Sequence, residues 1–139
     1  MRQVVALPPG NLITRRYEVE RLLGEGGLGA AYAVRDRALG RSVCLKLLLD
    51  RSLAGLLRNE FDTLRSLIHP NLARVRDFGV ALIDARPTPF FTSDLAEGVA
   101  LDRALAGKRF DQASEALADV LRALAFLHDA GVRHGDVKP

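Results

Sequence analysis

Three strand-like segments with short connections between them occupy the first third of this 139-residue chain. They lie at residues 17–23, 30–36 and 42–49, and they are rich in β-branched, aromatic and other apolar side chains. The first connection is Gly24-Glu25-Gly26-Gly27-Leu28-Gly29, and the second is a turn that ends near Gly40. This order predicts an antiparallel meander.

A helix and two more strands are predicted to follow the meander. Apolar residues recur at helical spacing over residues 51–68, on a stripe that runs from Leu53 to Ile68, and His69-Pro70-Asn71 closes that segment. Residues 72–78 and 89–93 then have strand patterns, the first ending in a turn at Asp77-Phe78-Gly79. The predicted fold class is therefore α+β, with a small five-stranded antiparallel sheet and one packed helix.

The ends of the chain have different patterns. Residues 1–16 contain Pro8-Pro9-Gly10 and no apolar period, which predicts an extended lead-in. A short helix is expected at residues 101–105, and a longer one from Asp111, its expected N-cap, to Gly131. We therefore expect the last part of the chain to be only the beginning of a helical region.

Composition excludes several classes of protein. The chain is 48% hydrophobic and 27% charged, which is typical of one globular unit, and its net charge of +3 is not concentrated among aromatic residues as nucleic-acid binding would favour. Cys44 is the single cysteine, so no internal disulfide is available, and residues 4–7 are too short an apolar run for a signal peptide or a membrane span. We expect a cytoplasmic protein with no nucleic-acid partner and no membrane segment.

The spacing Gly24-x-Gly26-x-x-Gly29 occurs both in dinucleotide-binding folds and in ordinary turns. In a dinucleotide fingerprint the glycines open a helix, whereas here Gly29 is followed by a strand-like segment that begins Ala30-Ala31. A hairpin is the better interpretation. Its glycines allow backbone N–H groups to approach phosphate oxygens, although a plain flexible hairpin remains an alternative.

Lys46 lies within an apolar run, residues 43–49, that predicts a strand buried on both faces. A buried ammonium group needs an anion, so this lysine is expected to meet a carboxylate, a phosphate or both. Extension of the side chain to solvent at a strand edge is the alternative.

Glu60 supplies a carboxylate in the right place. It lies on the apolar stripe of the predicted helix at residues 51–68, four residues after Leu56 and four before Leu64. A carboxylate that faces the sheet and an ammonium group within the sheet account for each other, so we expect Glu60 to pair with Lys46.

The last residues, His134-Gly135-Asp136-Val137-Lys138-Pro139, place a carboxylate and an ammonium group two residues apart after a helix. Asp136 is suited to accept a hydroxyl proton and Lys138 to offset the charge of a phosphoryl group. A solvated loop with a fortuitous charge pair is the alternative.

In order and spacing, these segments resemble the signature motifs of protein kinase domains. The resemblance covers residues 17–139, and Asp136-x-Lys138-Pro139 is similar to the serine/threonine branch, in a bacterial, eukaryotic-type form. It implies residues 1–16 as a lead-in, 17–93 as the N-lobe, 94–98 as the hinge and 99–139 as the start of a C-lobe that is truncated within the catalytic loop. It also implies ATP and Mg²⁺ as cofactors, protein serine and threonine hydroxyls as substrates, and metal ligands beyond Pro139.

The resemblance assigns roles residue by residue. It implies Asp136 as the catalytic base, with Lys138 beside the γ-phosphate. Lys46 would hold the phosphates and pair with Glu60, and the hinge would bond the adenine edge through its backbone, with Ser93 as a small gatekeeper. The expected nucleotide-binding residues are Gly24, Glu25, Gly26, Gly27, Leu28, Gly29, Ala31, Cys44, Lys46, Glu60, Ser93, Asp94 and Ala96.

Departures from the family pattern qualify this assignment. Ala31 and Cys44 replace the usual valine and alanine above the adenine. Gly135 replaces an arginine that normally pairs with an activation-loop phosphate, so we expect activity without that phosphorylation. Asp77-Phe78-Gly79 spells the magnesium motif but precedes the catalytic loop, which excludes that role. A pseudokinase or nucleotide-binding scaffold and a small-molecule phosphotransferase remain alternatives, and the truncated chain by itself is expected to be inactive.

Overall fold

The computed structural model describes residues 6–26, 29–50, 52, 54–134 and 137, without the side chains of Leu56, Leu57 and Glu60. These residues form two compact units. The first consists of Met1–Ser66 and Arg74–Leu95, and the second of Leu67–Ala73 and Ala96–Pro139. The division of the chain into lobes and a hinge at residues 94–98 stays a prediction.

The first unit is an antiparallel sheet with one packed helix. Its strand order is β1-β2-β3-β4-β6-β5, and every neighbouring pair is antiparallel. The strands are β1 (Leu12–Ile13), β2 (Tyr17–Gly26), β3 (Gly29–Asp36), β4 (Arg41–Leu48), β5 (Val75–Ile83) and β6 (Arg86–Asp94). The predicted α+β class and the meander of the first three long strands are confirmed.

The lead-in takes part in the sheet, contrary to the prediction of an unpatterned extension. Leu12 and Ile13 pair with Glu18 and Tyr17, and this adds a short sixth strand to the five expected. Leu7 is buried and donates its backbone N–H to the Tyr32 hydroxyl. The described part of the lead-in therefore adds to the core side of the sheet, and its two buried apolar residues, Leu7 and Ile13, are too far apart in the chain to form a recognisable period.

That side of the sheet holds the hydrophobic core. Alternate residues of β3 and β4, such as Tyr32 and Val34 or Leu45 and Leu47, have almost no solvent exposure. Phe90 of β6 lies opposite Leu47 and contacts the edge of the Tyr17 ring at 5.7 Å between centroids. The opposite face of the same strands is therefore the side left for a helix or a ligand.

Strand β5 is longer than predicted, and the expected turn at Asp77-Phe78-Gly79 was wrong. The strand runs through these residues to Ile83, because Ala81 and Ile83 continue the alternation and are buried in the core. Gly79 lies against the Phe90 ring, where an added Cβ would come within 2.7 Å of a ring carbon. The chain turns instead at Asp84 and Ala85, both at positive φ.

Helix α1 (Ala54–Arg65) lies within the predicted residues 51–68 but is shorter. Phe61 is buried, whereas Ile68, expected on the apolar stripe, lies beyond the helix and is exposed. Leu53 is outside the described residues. The helix ends before the His69-Pro70-Asn71 segment that was predicted to close it.

The second unit contains α2 (Leu101–Leu105) and α3 (Phe110–Asp129). The expected N-cap at Asp111 was wrong, because Arg109 occupies that position without a side-chain bond. Asp111 lies in the first turn instead, where a carboxylate interacts favourably with the unpaired N–H groups. At the other end, Gly131 has a φ of 74° and Val132 donates its N–H to Leu127, which confirms the predicted stop.

Part of the loop after α1 packs on α3 within this second unit. The His69 and Phe126 rings lie 5.1 Å apart, and the Asn71 amide nitrogen donates to the carbonyl of Asp119 at 3.2 Å. On α3, Ala123 and Leu127 are buried, while Leu117 and Leu121 are exposed. Within the described part of the chain, no helix is long and apolar enough to cross a membrane.

Candidate functional site

The glycine-rich connection lies at the tip of the β2–β3 hairpin. Gly24, Glu25 and Gly26 form the exposed end of β2, and Gly26 lies opposite Gly29. Gly27 and Leu28 are outside the described residues. The hairpin interpretation of this motif is therefore correct, because a strand and not a helix follows the glycines.

Among the described glycines of the motif, Gly29 is the one that the packing requires. A Cβ built on it would come within 1.9 Å of the carbonyl oxygen of Leu47 in the next strand. Gly24 and Gly26 have open space at the same position. Gly29, the first residue of β3, is thus fixed closely against β4, while Gly24 and Gly26 on the other strand have room for an approaching group.

Lys46 lies in the middle of β4, and its predicted burial was wrong. Val43, Leu45 and Leu47 face the core, but the alternate residues Cys44 and Lys46 are half-buried and exposed. The run is apolar on both sides, yet the Lys46 side chain itself is exposed to solvent. The charged ammonium group therefore needs no buried anion for its stability.

The neighbours of Lys46 follow from the strand register. Ala31 of β3 and Phe91 of β6 lie directly opposite Lys46 on its two sides. Opposite residues of antiparallel strands project from the same face. Lys46 thus shares its face with one small residue and one aromatic residue.

Small side chains occupy the next row of that face. Cys44 lies between Ala33 and Ser93 in the register. Burial raises the pKa of the Cys44 thiol, while Ser93 and the positive charge of Lys46 act in the opposite direction. The result is a row of small side chains beside an ammonium group.

Helix α1 packs over this same face. The Phe61 ring lies 5.5 Å from that of Phe78, and the Arg58 guanidinium lies 5.3 Å from the Phe78 centroid. Phe78 is opposite Phe91, which is opposite Lys46. The helix that contains Glu60 therefore covers the Lys46 face, while the Glu60 side chain is outside the described residues and its pairing with Lys46 stays a prediction.

Asp94, the last residue of β6, is held by two arginines. Its Oδ1 accepts a hydrogen bond from Arg76 Nε at 2.6 Å and a longer one from Arg41 Nη2 at 3.5 Å. Partial burial opposes its ionisation, but the bond and charge of Arg76 outweigh burial and lower the pKa of the carboxyl. Ala96 follows in an exposed segment without regular structure.

Sequence reasoning missed these arginines. Arg41 and Arg76 are distant from Asp94 along the chain, and the contacts depend on the register that places Val43 opposite Asp94 and Val75 opposite Ser93. No local sequence motif predicts such an ion pair, so it can be recognised only from the strand register.

Asp77 has a structural role in the first unit. Its Oδ2 accepts hydrogen bonds from Arg16 at 3.1 Å and from the Tyr17 hydroxyl at 3.2 Å. Burial and the nearby charge of Asp77 raise the pKa of Tyr17 to about 12. Arg16 also forms two bonds with the buried Asp36, so this cluster joins the lead-in, the β3–β4 turn and β5.

The predicted catalytic residues Asp136 and Lys138 lie outside the described residues, as does Gly135. Their neighbours His134 and Val137 line an open, mainly apolar pocket in the second unit. Its other lining residues are Asn71, Leu72, Val120, Ala123, Leu124 and Leu127. The roles of Asp136 and Lys138 stay predictions.

No group of three or more histidine, cysteine or carboxylate residues that could hold a metal ion occurs among the described residues.

A comparison with protein-family models matches residues 17–139 to the protein kinase domain. The chain belongs to the protein kinase domain family. The matched residues include the glycine hairpin, Lys46, α1 and the segment after α3.

Curated relatives are bacterial members of this family. The chain is 34% identical to the serine/threonine-protein kinase PknB of Mycobacterium tuberculosis over 138 residues, which is 91% of this chain and 22% of PknB. It is 32% identical to the serine/threonine-protein kinase PksC of Streptomyces coelicolor over 136 residues, which is 89% of this chain and 24% of PksC. The chain thus spans only about a fifth to a quarter of the length of these relatives.

Among solved structures, the kinase domain of Mycobacterium tuberculosis PknI superposes with a TM-score of 0.73 at 26% identity. The match covers 96% of this chain and 56% of the PknI chain. The predicted resemblance to a bacterial serine/threonine protein kinase domain is confirmed.

Proposed function

We propose that this chain is the nucleotide-binding part of an ATP-dependent protein serine/threonine kinase. The observation that supports this most directly is the setting of Lys46. The lysine is exposed beside a face of small side chains, and the helix that carries Glu60 packs over that face. An ammonium group with one open side is suited to bind the phosphates of ATP.

The remaining roles follow the motif positions. The hairpin tip from Gly24 to Gly29 covers the phosphates with backbone N–H groups. Ala31, Cys44 and Ser93 lie against the adenine, and the backbone of Asp94 and Ala96 bonds its edge. Glu60 fixes the position of the Lys46 ammonium group.

Transfer of the phosphoryl group uses the last residues of the chain. Asp136 accepts the proton of a serine or threonine hydroxyl, and Lys138 offsets charge on the γ-phosphate. Mg²⁺ supplies neutralisation of phosphate charge when bound, and the kinase motifs that would provide its ligands do not occur in the expected order among these 139 residues. We therefore propose that the 139-residue chain by itself does not phosphorylate substrates, and that the complete protein acts in the cytoplasm.

The experiment is a comparison of the natural full-length protein with its Asp136→Asn variant. Both are incubated with Mg²⁺, ATP and a generic protein substrate, and phosphoserine and phosphothreonine are measured beside the dissociation constant of ATP. We expect the variant to bind ATP normally and to lose at least about a hundredfold in phosphoryl transfer.

Two other results would change the assignment. Tight ATP binding with no transfer by either protein would indicate a pseudokinase or nucleotide-binding scaffold. Phosphorylation of small metabolites but not of proteins would indicate a small-molecule phosphotransferase.

A further inference from the structure

Asp94 is fixed on two sides by residues at and just before the start of β5. Its backbone N–H donates to the carbonyl of Arg74 at 2.9 Å, and its carboxylate accepts from Arg76 at 2.6 Å. Val75, between these two arginines, lies opposite Ser93. The backbone of Asp94 is therefore held by Arg74, just before β5, and its side chain by Arg76, the second residue of β5.

The ion pair with Arg76 is better placed than the surface pairs of this unit. The Arg76 side chain is 27% exposed and that of Asp94 is 35% exposed, compared with 52% and 39% for Arg37 and Glu18. Charge-assisted bonds that are partly removed from water hold their geometry better than fully solvated pairs. Arg41 approaches the same Asp94 oxygen from β4, which gives the carboxylate two cationic neighbours.

The position of Asp94 gives this network a functional meaning. Under the proposed function, residues 94–98 are the hinge whose backbone groups bond the adenine edge. Asp94 is the first of these residues and the last one within the sheet. Movement of the Asp94 backbone would therefore displace the backbone groups that distinguish the 6-amino group of adenine from the 6-oxo group of guanine.

We propose that Arg76, assisted by Arg41, is a positioning residue that fixes the Asp94 backbone for recognition of adenine. This inference rests on the proposed function. A carbonyl acceptor in a fixed position forms a hydrogen bond with an amino group but not with an oxo group. The oxo group would lose its hydration without gaining a hydrogen bond, so binding of guanine is disfavoured. The network therefore contributes to the preference for ATP over GTP and not to the chemical step.

The test uses Arg76→Met in the natural full-length protein, with Arg37→Met as the matched control. Arg37 forms a pair of similar length with Glu18, 2.8 Å, but lies on the β2–β3 side of the sheet away from Asp94. We measure KM and kcat with ATP and with GTP, and the dissociation constant of each nucleotide. For Arg76→Met we expect KM for ATP to rise roughly tenfold, kcat to stay within about twofold, and the ATP preference to fall roughly tenfold.

Two further variants separate positioning from loss of folding. Arg76→Lys keeps the positive charge and is expected to restore part of the ATP preference, and Arg41→Met is expected to weaken it in the same direction but less. Thermal unfolding of each variant identifies any that fail to fold, in which case Arg41→Met and Arg76→Lys decide the question.

An ATP preference in Arg76→Met equal to that in Arg37→Met, with both proteins folded, would overturn the inference and leave the proposed function intact. If the wild-type protein neither bound nor used ATP, the proposed function itself would be wrong.

Discussion

At the scale of single residues, the absence of a side chain at Gly29 allows β3 to lie very close to the backbone of its neighbour β4. The carbonyl of Leu47 occupies the space that a Cβ would need. Gly29→Ala should therefore force β3 away from β4 and reduce the free energy of unfolding by about 1 to 3 kcal/mol. Urea denaturation of this 139-residue chain measures the effect.

Gly26→Ala is the control for that substitution, because Gly26 lies opposite Gly29 in the register and has open space around its Cβ position. We expect a change of less than about 0.5 kcal/mol. Equal loss of stability in the two variants would show that the close approach of residue 29 to the Leu47 carbonyl does not require glycine.

Asp36 makes a pH-dependent contribution to stability. Its side chain is 1% exposed, and the hydrogen bond from Arg16 lowers the pKa of its carboxyl below the ordinary 3.8. A lowered pKa in the folded state means that the stabilisation is complete above 3.8 and is lost as pH falls through the lower folded value. At neutral pH, Asp36→Asn should reduce the free energy of unfolding by about 1.5 to 3 kcal/mol.

The difference between wild type and Asp36→Asn should shrink as the pH falls below 3.8. Glu18→Gln, which removes an exposed partner of Arg37, serves as the control and should cost at most about 1 kcal/mol. A wild-type advantage over Asp36→Asn that is the same in acid and at neutral pH would contradict this account.

The same scale shows what residue chemistry could and could not predict. The sequence correctly identified Gly131 as a helix stop, because the reason is local. It wrongly predicted burial of Lys46, because an apolar run does not reveal which face of a strand is covered. The pairs of Asp94 and Asp36 join residues far apart in the chain, so no local pattern contained them.

At the scale of elements, the contact between Phe61 and Phe78 connects α1 to the sheet among the described side chains. Phe61 is 5% exposed and contacts Phe78 on β5. Phe61→Ala should reduce the free energy of unfolding by about 3 to 5 kcal/mol, because it removes a buried ring and leaves a cavity. Chemical denaturation of the purified chain measures this loss.

Leu82→Ala is the control. Leu82 lies on β5, the strand that contains Phe78, and its side chain is 74% exposed. Its change should stay within about 0.5 kcal/mol. If Phe61→Ala were as stable as Leu82→Ala, the placement of α1 over the Lys46 face would have to be revised.

Element boundaries were predicted less well than element types. The strands that follow α1 were expected at residues 72–78 and 89–93, yet they run at Val75–Ile83 and Arg86–Asp94. The Asp77-Phe78-Gly79 tripeptide looked like a turn because it contains glycine, whereas tertiary packing against Phe90 uses that glycine inside the strand. Burial of Ala81 and Ile83 in the core stabilises the strand more than the local preference of the tripeptide favours a turn.

At the scale of the whole molecule, the order of motifs identified the fold that its individual residues could not. The glycine hairpin alone was compatible with several folds, but the hairpin, Lys46, α1 and the segment after α3 in sequence match a protein kinase domain over residues 17–139. The roles of Glu60, Asp136 and Lys138 rest on that match and stay predictions. Their side chains lie outside what the structure describes.

The most direct measurement is phosphate transfer from γ-labelled ATP to serine and threonine by the natural full-length protein and two lysine variants. Lys46→Met removes the proposed phosphate ligand, whereas Lys108→Met removes an exposed lysine of the second unit. We expect Lys46→Met to lose at least about a hundredfold in transfer while it remains folded, and Lys108→Met to match the wild type. Normal phosphorylation of generic protein substrates by folded Lys46→Met would contradict the central claim.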